Sequence, residues 1–306
     1  MMVAEQTPQW RGELHYDEPM AAHCSWRTGG AARRFYQPAD IADLCAFLRD
    51  LDRDEPLLWL GLGSNLLVRD GGFPGTVIAT FGALATFEWL DDQTLRVGCG
   101  VTCSKVARLS ARAGLVGAEF LAGIPGTMGG ALAMNAGAFG GETWTSVVAV
   151  ETVDHEGRLH TRHPDEYRIG YRSVTGPQGE WFVAAQLRLE PGDPAAAQER
   201  IRKLLAQRGA SQPTQQYSCG SVFRNPPGDF AARLIETAGL KGTAIGGAVV
   251  SEKHANFIIN SGNASAADIE ALIGRVREQV EQVHGVVLET EVRIVGDKAA
   301  AGSGDG

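Results

Sequence analysis

Residues 123–142 read Gly-Ile-Pro-Gly-Thr-Met-Gly-Gly-Ala-Leu-Ala-Met-Asn-Ala-Gly-Ala-Phe-Gly-Gly-Glu, with no charge before Glu142. Glycine at this density costs folding entropy and adds no side chain to a core. A globular chain accepts that cost mainly where its backbone turns sharply or comes close to another group. A long surface loop is the plain alternative. Surface loops are polar, however, whereas this segment carries Ile124, Met128, Leu132, Met134 and Phe139. The pattern points to buried backbone laid against a large ligand.

The rest of the chain narrows what that ligand can be. Its 306 residues allow two domains. A formal charge of −8 argues against a nucleic-acid partner, which calls for a basic face. The five cysteines (24, 45, 99, 103 and 219) are scattered without a CxxC pair and read as reduced thiols of a cytosolic protein. Cys99 and Cys103 stand apart from other ligating residues, HExxH is absent, and no histidines pair at i, i+4, so no metal site is expected. The N-terminus has no apolar leader core, and no run approaches the ~18 apolar residues of a membrane span. A soluble, cytoplasmic protein is expected.

Strands and helices are mixed without regular βαβ alternation, which predicts an α+β fold. Asp40 should cap a helix with Ile41, Leu44, Cys45, Leu48 and Leu51 on one stripe. Leu57–Leu60 reads as a strand running into Gly61-Leu-Gly-Ser-Asn65, and Thr102–Ala113 as a helix stopped by Gly114. Pro191-Gly-Asp-Pro194 marks a boundary between a unit at 20–192 and a second at 196–297, opened by a charged helix from Ala195 to Arg208. A helix from Ser265 to His284 and a strand alternating from Leu288 complete the second unit. Residues 298–306 read as a disordered tail.

Several constellations could carry chemistry. Gly61–Asn65 follows a strand, as a phosphate loop should, but Leu66 stands where a dinucleotide fingerprint needs its third glycine. What remains is a run of backbone N–H groups with Ser64 and Asn65, suited to an anion-binding nest; a tight hairpin turn is an equal reading. Ser221 lies beside Tyr217, Arg224 and Asn225 outside any GxSxG elbow, so a turn hydroxyl is its default. Arg172, between Tyr171 and Ser173, is either a surface charge or a fork for a carboxylate or phosphate. Glu289 and Glu291 share one face of the last strand, and periodicity does not choose between them. Lys253-His254-Ala-Asn256 reads as a polar hairpin tip or, less simply, as a basic substrate patch.

Together these segments resemble the UDP-N-acetylenolpyruvoylglucosamine reductase (MurB) family. The matching pieces are Ser25-Trp-Arg-Thr-Gly-Gly30, Gly61–Val68, Gly123-Ile-Pro-Gly126 with Asn135-Ala-Gly-Ala138, Tyr171-Arg-Ser173, Gly220-Ser-Val-Phe-Arg-Asn-Pro226, Ser251–Phe257 and Glu291-Val-Arg293, which together span about residues 20 to 296. The resemblance implies a two-lobed FAD-binding domain of the vanillyl-alcohol-oxidase (PCMH) type, followed by a smaller α+β substrate domain. It implies that FAD is cradled by Gly61, Gly63, Ser64, Asn65 and Leu66, and by Gly123, Ile124, Pro125, Gly126, Gly130, Asn135, Gly137 and Ala138. Ala31 follows Gly30 where related oxidases carry a flavin-linking histidine, which implies a non-covalent flavin. The implied reaction uses NADPH as co-substrate to reduce the enolpyruvyl ether of a UDP-N-acetylglucosamine to UDP-N-acetylmuramate, in peptidoglycan synthesis. Arg172 and Glu291 would stabilise the enolate-like state, Ser221 would donate the proton, and Tyr171, Arg224 and Asn225 would bind the nucleotide-sugar. The family pattern thereby selects Glu291 over Glu289. Two departures stand out: Thr290 replaces a proline common before the glutamate, and Phe139 stands where tyrosine is frequent. The length implies the family's shorter form, and the protein is expected to be monomeric. An alcohol or sugar oxidase of the same fold and a non-catalytic nucleotide-sugar-binding protein are the alternatives.

Overall fold

The structure, a computed structural model, describes residues 10–299. Of the expected disordered tail, residues 300–306 lie outside that range, as do the first nine residues. Three packed units build the molecule. The first lobe is a four-stranded sheet in the order Glu13–Pro19, Ala31–Gln37, Phe73–Ala79 and Leu57–Leu60, antiparallel at the first pair and parallel thereafter. The helix Ile41–Arg49 starts as expected, with the Asp40 carboxylate accepting from the Asp43 N–H at 2.8 Å, and buries Leu44, Phe47 and Leu48.

The second lobe is an antiparallel sheet ordered Leu159–Arg162, Val147–Asp154, Glu180–Arg188, Thr94–Gly98 and Phe87–Trp89. Helix Cys103–Arg112, capped by Thr102, covers it. The lobes share a core in which Ile78 and Leu84 meet Cys99, Val153 and Val183. The third unit packs helices Ala231–Thr237 and Ala266–His284 with the small sheet Ala244–Ile245, Ala248–Val250 and Ile258–Asn260. Ser265 and Asp268 form its capping box, and Gly285 ends the long helix at φ 67°.

Three expectations are corrected. The first lobe begins before residue 20, because Glu13–Pro19 pairs along Ala31–Gln37; its alternation was hidden by a mostly polar composition. The charged helix, observed as Pro194–Ser211, does not open the C-terminal unit. It buries Ala197 and Ile201 in the second lobe's core, and Arg200 reaches Glu119 at 3.2 Å. The last strand is short, Arg293–Val295, and pairs in parallel with Leu66–Val68 of the first lobe.

That pairing is one of several ties between the first lobe and the third unit. Trp26 is fully buried; its indole N–H donates to the Ile258 carbonyl at 2.8 Å, and Asn260 Nδ2 donates to the Trp26 carbonyl at 2.7 Å. Arg69 grips Glu270 with two parallel bonds of 2.9 Å.

Candidate active site

The loop Gly61–Asn65 leaves one parallel strand at its carboxyl end and enters the next strand at Leu66. Gly63 has φ +60°, and a Cβ there would strike the His23 carbonyl; a Cβ on Gly61 would strike the Thr127 hydroxyl. The loop carbonyls turn inward. Gly63 O accepts from the Ser25 N–H at 3.1 Å, and the buried Cys219 thiol points at the carbonyls of Gly63 and Leu66 at 3.6 and 3.5 Å. Burial pushes that thiol up to about 12, so it serves as a neutral donor. Among the described residues, the N–H groups of Leu62, Gly63, Ser64 and Asn65 donate to no protein acceptor.

These groups border a cavity of about 390 Å³. Of the expected cofactor residues, Gly61, Gly63, Ser64, Asn65, Leu66, Gly126 and Gly130 line it; Gly123, Ile124, Pro125, Asn135, Gly137 and Ala138 do not. The glycine-rich segment divides accordingly. Its first part forms a short helix, Met128–Ala133, whose Gly130 has no protein atom within 4 Å of a built Cβ. Sequence reasoning missed Thr127, Trp59, Trp181 and Arg293, which also line the cavity. The two indoles stack at 5.4 Å, and in sequence they read as ordinary strand residues. Thr127 Oγ1 and the Trp59 indole N–H are buried with no partner among the described residues.

The second part of the segment is a hairpin, Gly137–Ala138 against Gly141–Glu142, turning through Phe139 and Gly140 at positive φ. Here Gly123 is small because the Phe139 ring lies against it. Asn135, 1% exposed and at φ +45°, donates from Nδ2 to Glu142 at 2.9 Å and to the Gly170 carbonyl at 3.2 Å, and accepts from the Trp144 N–H at 3.2 Å. Gly170 ends the first strand of another hairpin, Arg168–Gly170 with Ser173–Thr175, whose tip carries Tyr171 and Arg172. Arg172, at φ +51°, donates from a terminal nitrogen to the Gly137 carbonyl at 2.7 Å. Its Nε stands 3.3 Å from Glu291 Oε1, an ion pair out of hydrogen-bond alignment. The Tyr171 ring lies 5.3 Å below the guanidinium and is half-exposed.

Ser221 and Glu291 sit on adjacent backbones. The Glu291 N–H donates to the Val222 carbonyl at 2.8 Å, the Arg224 N–H to the Glu289 carbonyl at 2.9 Å, and Thr290 bridges to Phe223. The two carboxylates separate by exposure: Glu291 is 13% exposed and Glu289 76%, the latter 3.7 Å from Arg224. Burial pushes the Glu291 carboxyl above the ordinary glutamate range, against the pull of Arg172 and then Arg224. Asn225 Oδ1 accepts from the Ala231 N–H at 3.1 Å. Asn65 joins the two ends of the site, donating from Nδ2 to the Glu291 carbonyl at 3.1 Å.

Residues 32–162 match the model of an FAD binding domain, and residues 212–295 match the C-terminal domain of UDP-N-acetylenolpyruvoylglucosamine reductase. A protein of that name from Alkalilimnicola ehrlichii is 61% identical over 97% of this chain and 99% of its own length. Its namesake from Legionella pneumophila (strain Corby) is 56% identical over 97% and 96%. The chain belongs to the UDP-N-acetylenolpyruvoylglucosamine reductase family. The crystal structure of the reductase (MurB) from Thermus caldophilus superposes with a TM-score of 0.81, at 34% identity, over 94% of this chain and 99% of that one. The two-lobed α+β domain with a smaller C-terminal unit is thus the fold of this reductase family. Thr290, one of the departures from the family pattern, bridges to Phe223.

Proposed function

We propose that the protein reduces UDP-N-acetylglucosamine enolpyruvate to UDP-N-acetylmuramate with NADPH, on non-covalently bound FAD, in peptidoglycan precursor synthesis. One observation carries the reading. Donors without protein partners line a cavity, and Asn65 in its wall donates to the carbonyl of Glu291, which pairs with the buried Arg172 and whose backbone is hydrogen-bonded to the segment that bears Ser221.

FAD fits the residues present. Four unengaged loop N–H groups and the orphaned Thr127 hydroxyl suit a pyrophosphate, and Gly130 leaves open space where a side chain would intrude. Gly61, Gly63, Ser64, Asn65 and Leu66, with Gly126 and Gly130, would hold it directly. Gly123, Ile124 and Pro125 precede that surface in the chain, whereas Asn135, Gly137 and Ala138 belong to the turn and hairpin that hold Arg172. When bound, FAD supplies the hydride relay from NADPH to the vinyl carbon of the substrate.

The protein's own residues handle charge and proton. Arg172 meets the substrate carboxylate and the negative charge that develops beside it, already aimed by its bond to Gly137. Burial shifts the Glu291 carboxyl toward its neutral form against the pull of Arg172, and when protonated it donates a hydrogen bond to the enolate-like oxygen. The Ser221 hydroxyl gives its proton to the carbon that becomes the new stereocentre. Serine is a weak acid, so its placement next to a strongly basic carbanion matters more than its acidity. Tyr171, under the Arg172 guanidinium, and Arg224 and Asn225, in the segment that follows Ser221, bind the nucleotide-sugar. The enzyme acts as a cytoplasmic monomer, without a nucleic-acid or membrane partner. The net charge of −8 speaks against a nucleic-acid partner, and among the described residues no helix is long and apolar enough to cross a membrane.

Stopped-flow mixing tests the reading. NADPH should bleach the flavin of wild type and of Ser221→Ala at similar rates. The enolpyruvyl substrate should restore the colour rapidly in wild type, and at least ~100-fold more slowly in the variant. Equal loss of both steps would contradict the proton-donor role, and a protein that stays colourless with added FAD would overturn the reaction.

A further inference from the structure

The polar segment Ser251–Phe257 is not absorbed by the reaction as derived. It links strands Ala248–Val250 and Ile258–Asn260, and its folding is local: the Ser251 hydroxyl accepts from the N–H groups of Lys253 and His254 at 3.1 and 3.3 Å. Its end then turns toward the segment that bears Ser221. Asn256, 3% exposed, accepts on its carbonyl from the Val222 N–H at 2.9 Å. Its side chain closes a two-bond ring with the next residue: Oδ1 accepts from the Phe223 N–H at 2.9 Å and Nδ2 donates to the Phe223 carbonyl at 2.8 Å.

A side-chain amide so placed imitates the edge of a neighbouring strand. Residues 222–224 are therefore held from both sides, by Asn256 on one flank and by Glu289–Glu291 on the other. The Glu291 flank sets the register of the strand. The Asn256 flank fixes the path of the chain next to Ser221, because its three bonds fall on the two residues immediately after Ser221. An amide serves both Phe223 groups where an ionised carboxylate cannot, since one needs an acceptor and the other a donor.

We propose that Asn256 is a positioning residue for proton delivery, fixing the Ser221 hydroxyl relative to the Arg172–Glu291 pair without itself touching substrate. The inference rests on the reaction proposed above. It differs from a general structural role in one respect: its effect falls on the proton-transfer step and not on flavin reduction. Displacing a reacting hydroxyl by about 1 Å is enough to lose on the order of 100-fold in rate.

The experiment uses FAD-loaded holoenzyme in the two-step stopped-flow assay with NADPH and then the enolpyruvyl substrate. Asn256→Ala should reduce the flavin within about 2-fold of wild type and slow the second step by about 100-fold. The double variant Asn256→Ala/Ser221→Ala should be no slower in the second step than Ser221→Ala alone, because coupled residues are not additive. Asn256→Asp keeps the acceptor for Phe223 N–H and turns a carboxylate on the Phe223 carbonyl. Protonation restores a donor there, so its second step should recover as pH falls, with no such recovery in wild type. Additive losses in the double variant, equal slowing of both steps, or a pH-independent deficit in Asn256→Asp would each overturn the positioning role. If Asn256→Ala does not fold, the Asn256→Asp profile decides alone. Failure of the wild type to reoxidise with the enolpyruvyl substrate would instead overturn the reaction on which the inference rests.

Discussion

Two glycine-rich stretches meet in this molecule and use glycine for opposite ends. In Gly61–Asn65 the missing side chains let the loop pass against His23 and Thr127, its carbonyls bonded inward and its N–H groups left facing the cavity. In Asn135–Glu142 the missing side chains admit the protein's own aromatic rings: Phe120 fills the place of a Cβ on Gly141. The polar groups of that stretch are engaged internally, on Glu142, Trp144, Gly170 and Arg172. One stretch is shaped to receive a ligand and the other to aim an arginine. Glycine content alone does not distinguish them; the fate of the neighbouring donors does.

Damage to the first stretch should therefore remove the cofactor, and damage to the second should spare it. Gly63→Val is the severe test. A β-branched residue at φ +60° is strained, and its Cβ meets the His23 carbonyl. A cost of about 3 kcal/mol is expected, with the purified protein colourless and its melting temperature lowered. Full flavin occupancy would mean that the loop has room the structure does not show. Asn135→Ala should keep its yellow colour and reduce its flavin normally. It strips the donors from Gly170 and Glu142, at a cost of about 2 kcal/mol, and should slow reoxidation by substrate about 10-fold as Arg172 loosens. Loss of flavin instead would move Asn135 to the cofactor side of the comparison.

The same contrast explains what could be read from the sequence. Elements closed by local chemistry were legible: the helix capped by Asp40, the helices that begin near Thr102 and Ser265, and the strand Leu57–Leu60. The Gly61–Asn65 loop was legible because a glycine run after a strand has few uses. Trp59 and Trp181 were not, because an aromatic residue that walls a cavity has the same strand periodicity as one that fills a core. Arg293 was visible only as a neighbour of Glu291, since pairing of the last strand with Leu66–Val68 joins residues more than two hundred positions apart. The helix Pro194–Ser211 was assigned to the wrong unit for a similar reason: two small contacts, Ala197 and Ile201, decide its partner beneath a charged surface. Asn135 was assigned to the ligand through its motif, whereas its side chain is engaged within the protein.

Glu291 stands where the two ends of the site meet, its carbonyl held by Asn65 and its carboxyl facing Arg172. Burial raises its folded pKa, so the neutral form suits the fold. The stability associated with that neutral form is fully present below the ordinary glutamate pKa and is lost as pH rises through the raised value. Glu291→Gln should therefore abolish turnover yet melt higher than wild type at pH 8, with the difference vanishing near pH 4. A variant that melts lower at pH 8 would show that the pairing with Arg172 outweighs burial.

Gly130 gives the smallest effect and the finest discrimination. It lies in the helix Met128–Ala133 and faces the cavity, with no protein atom within 4 Å of an added methyl. If it were glycine for the sake of the fold, Gly130→Ala would destabilise the protein. The open surroundings predict the reverse, a gain of about 0.5–1 kcal/mol in flavin-free protein from helix propensity. Flavin titration should then show weaker binding, because the methyl occupies space the cofactor needs. Parallel melts of flavin-free and flavin-loaded protein separate the two contributions: stabilisation without flavin and a smaller shift with it place Gly130 with Gly61–Asn65. Equal melting shifts in both states would instead show that this glycine, although it borders the cavity, belongs with the stretch that packs against the protein itself.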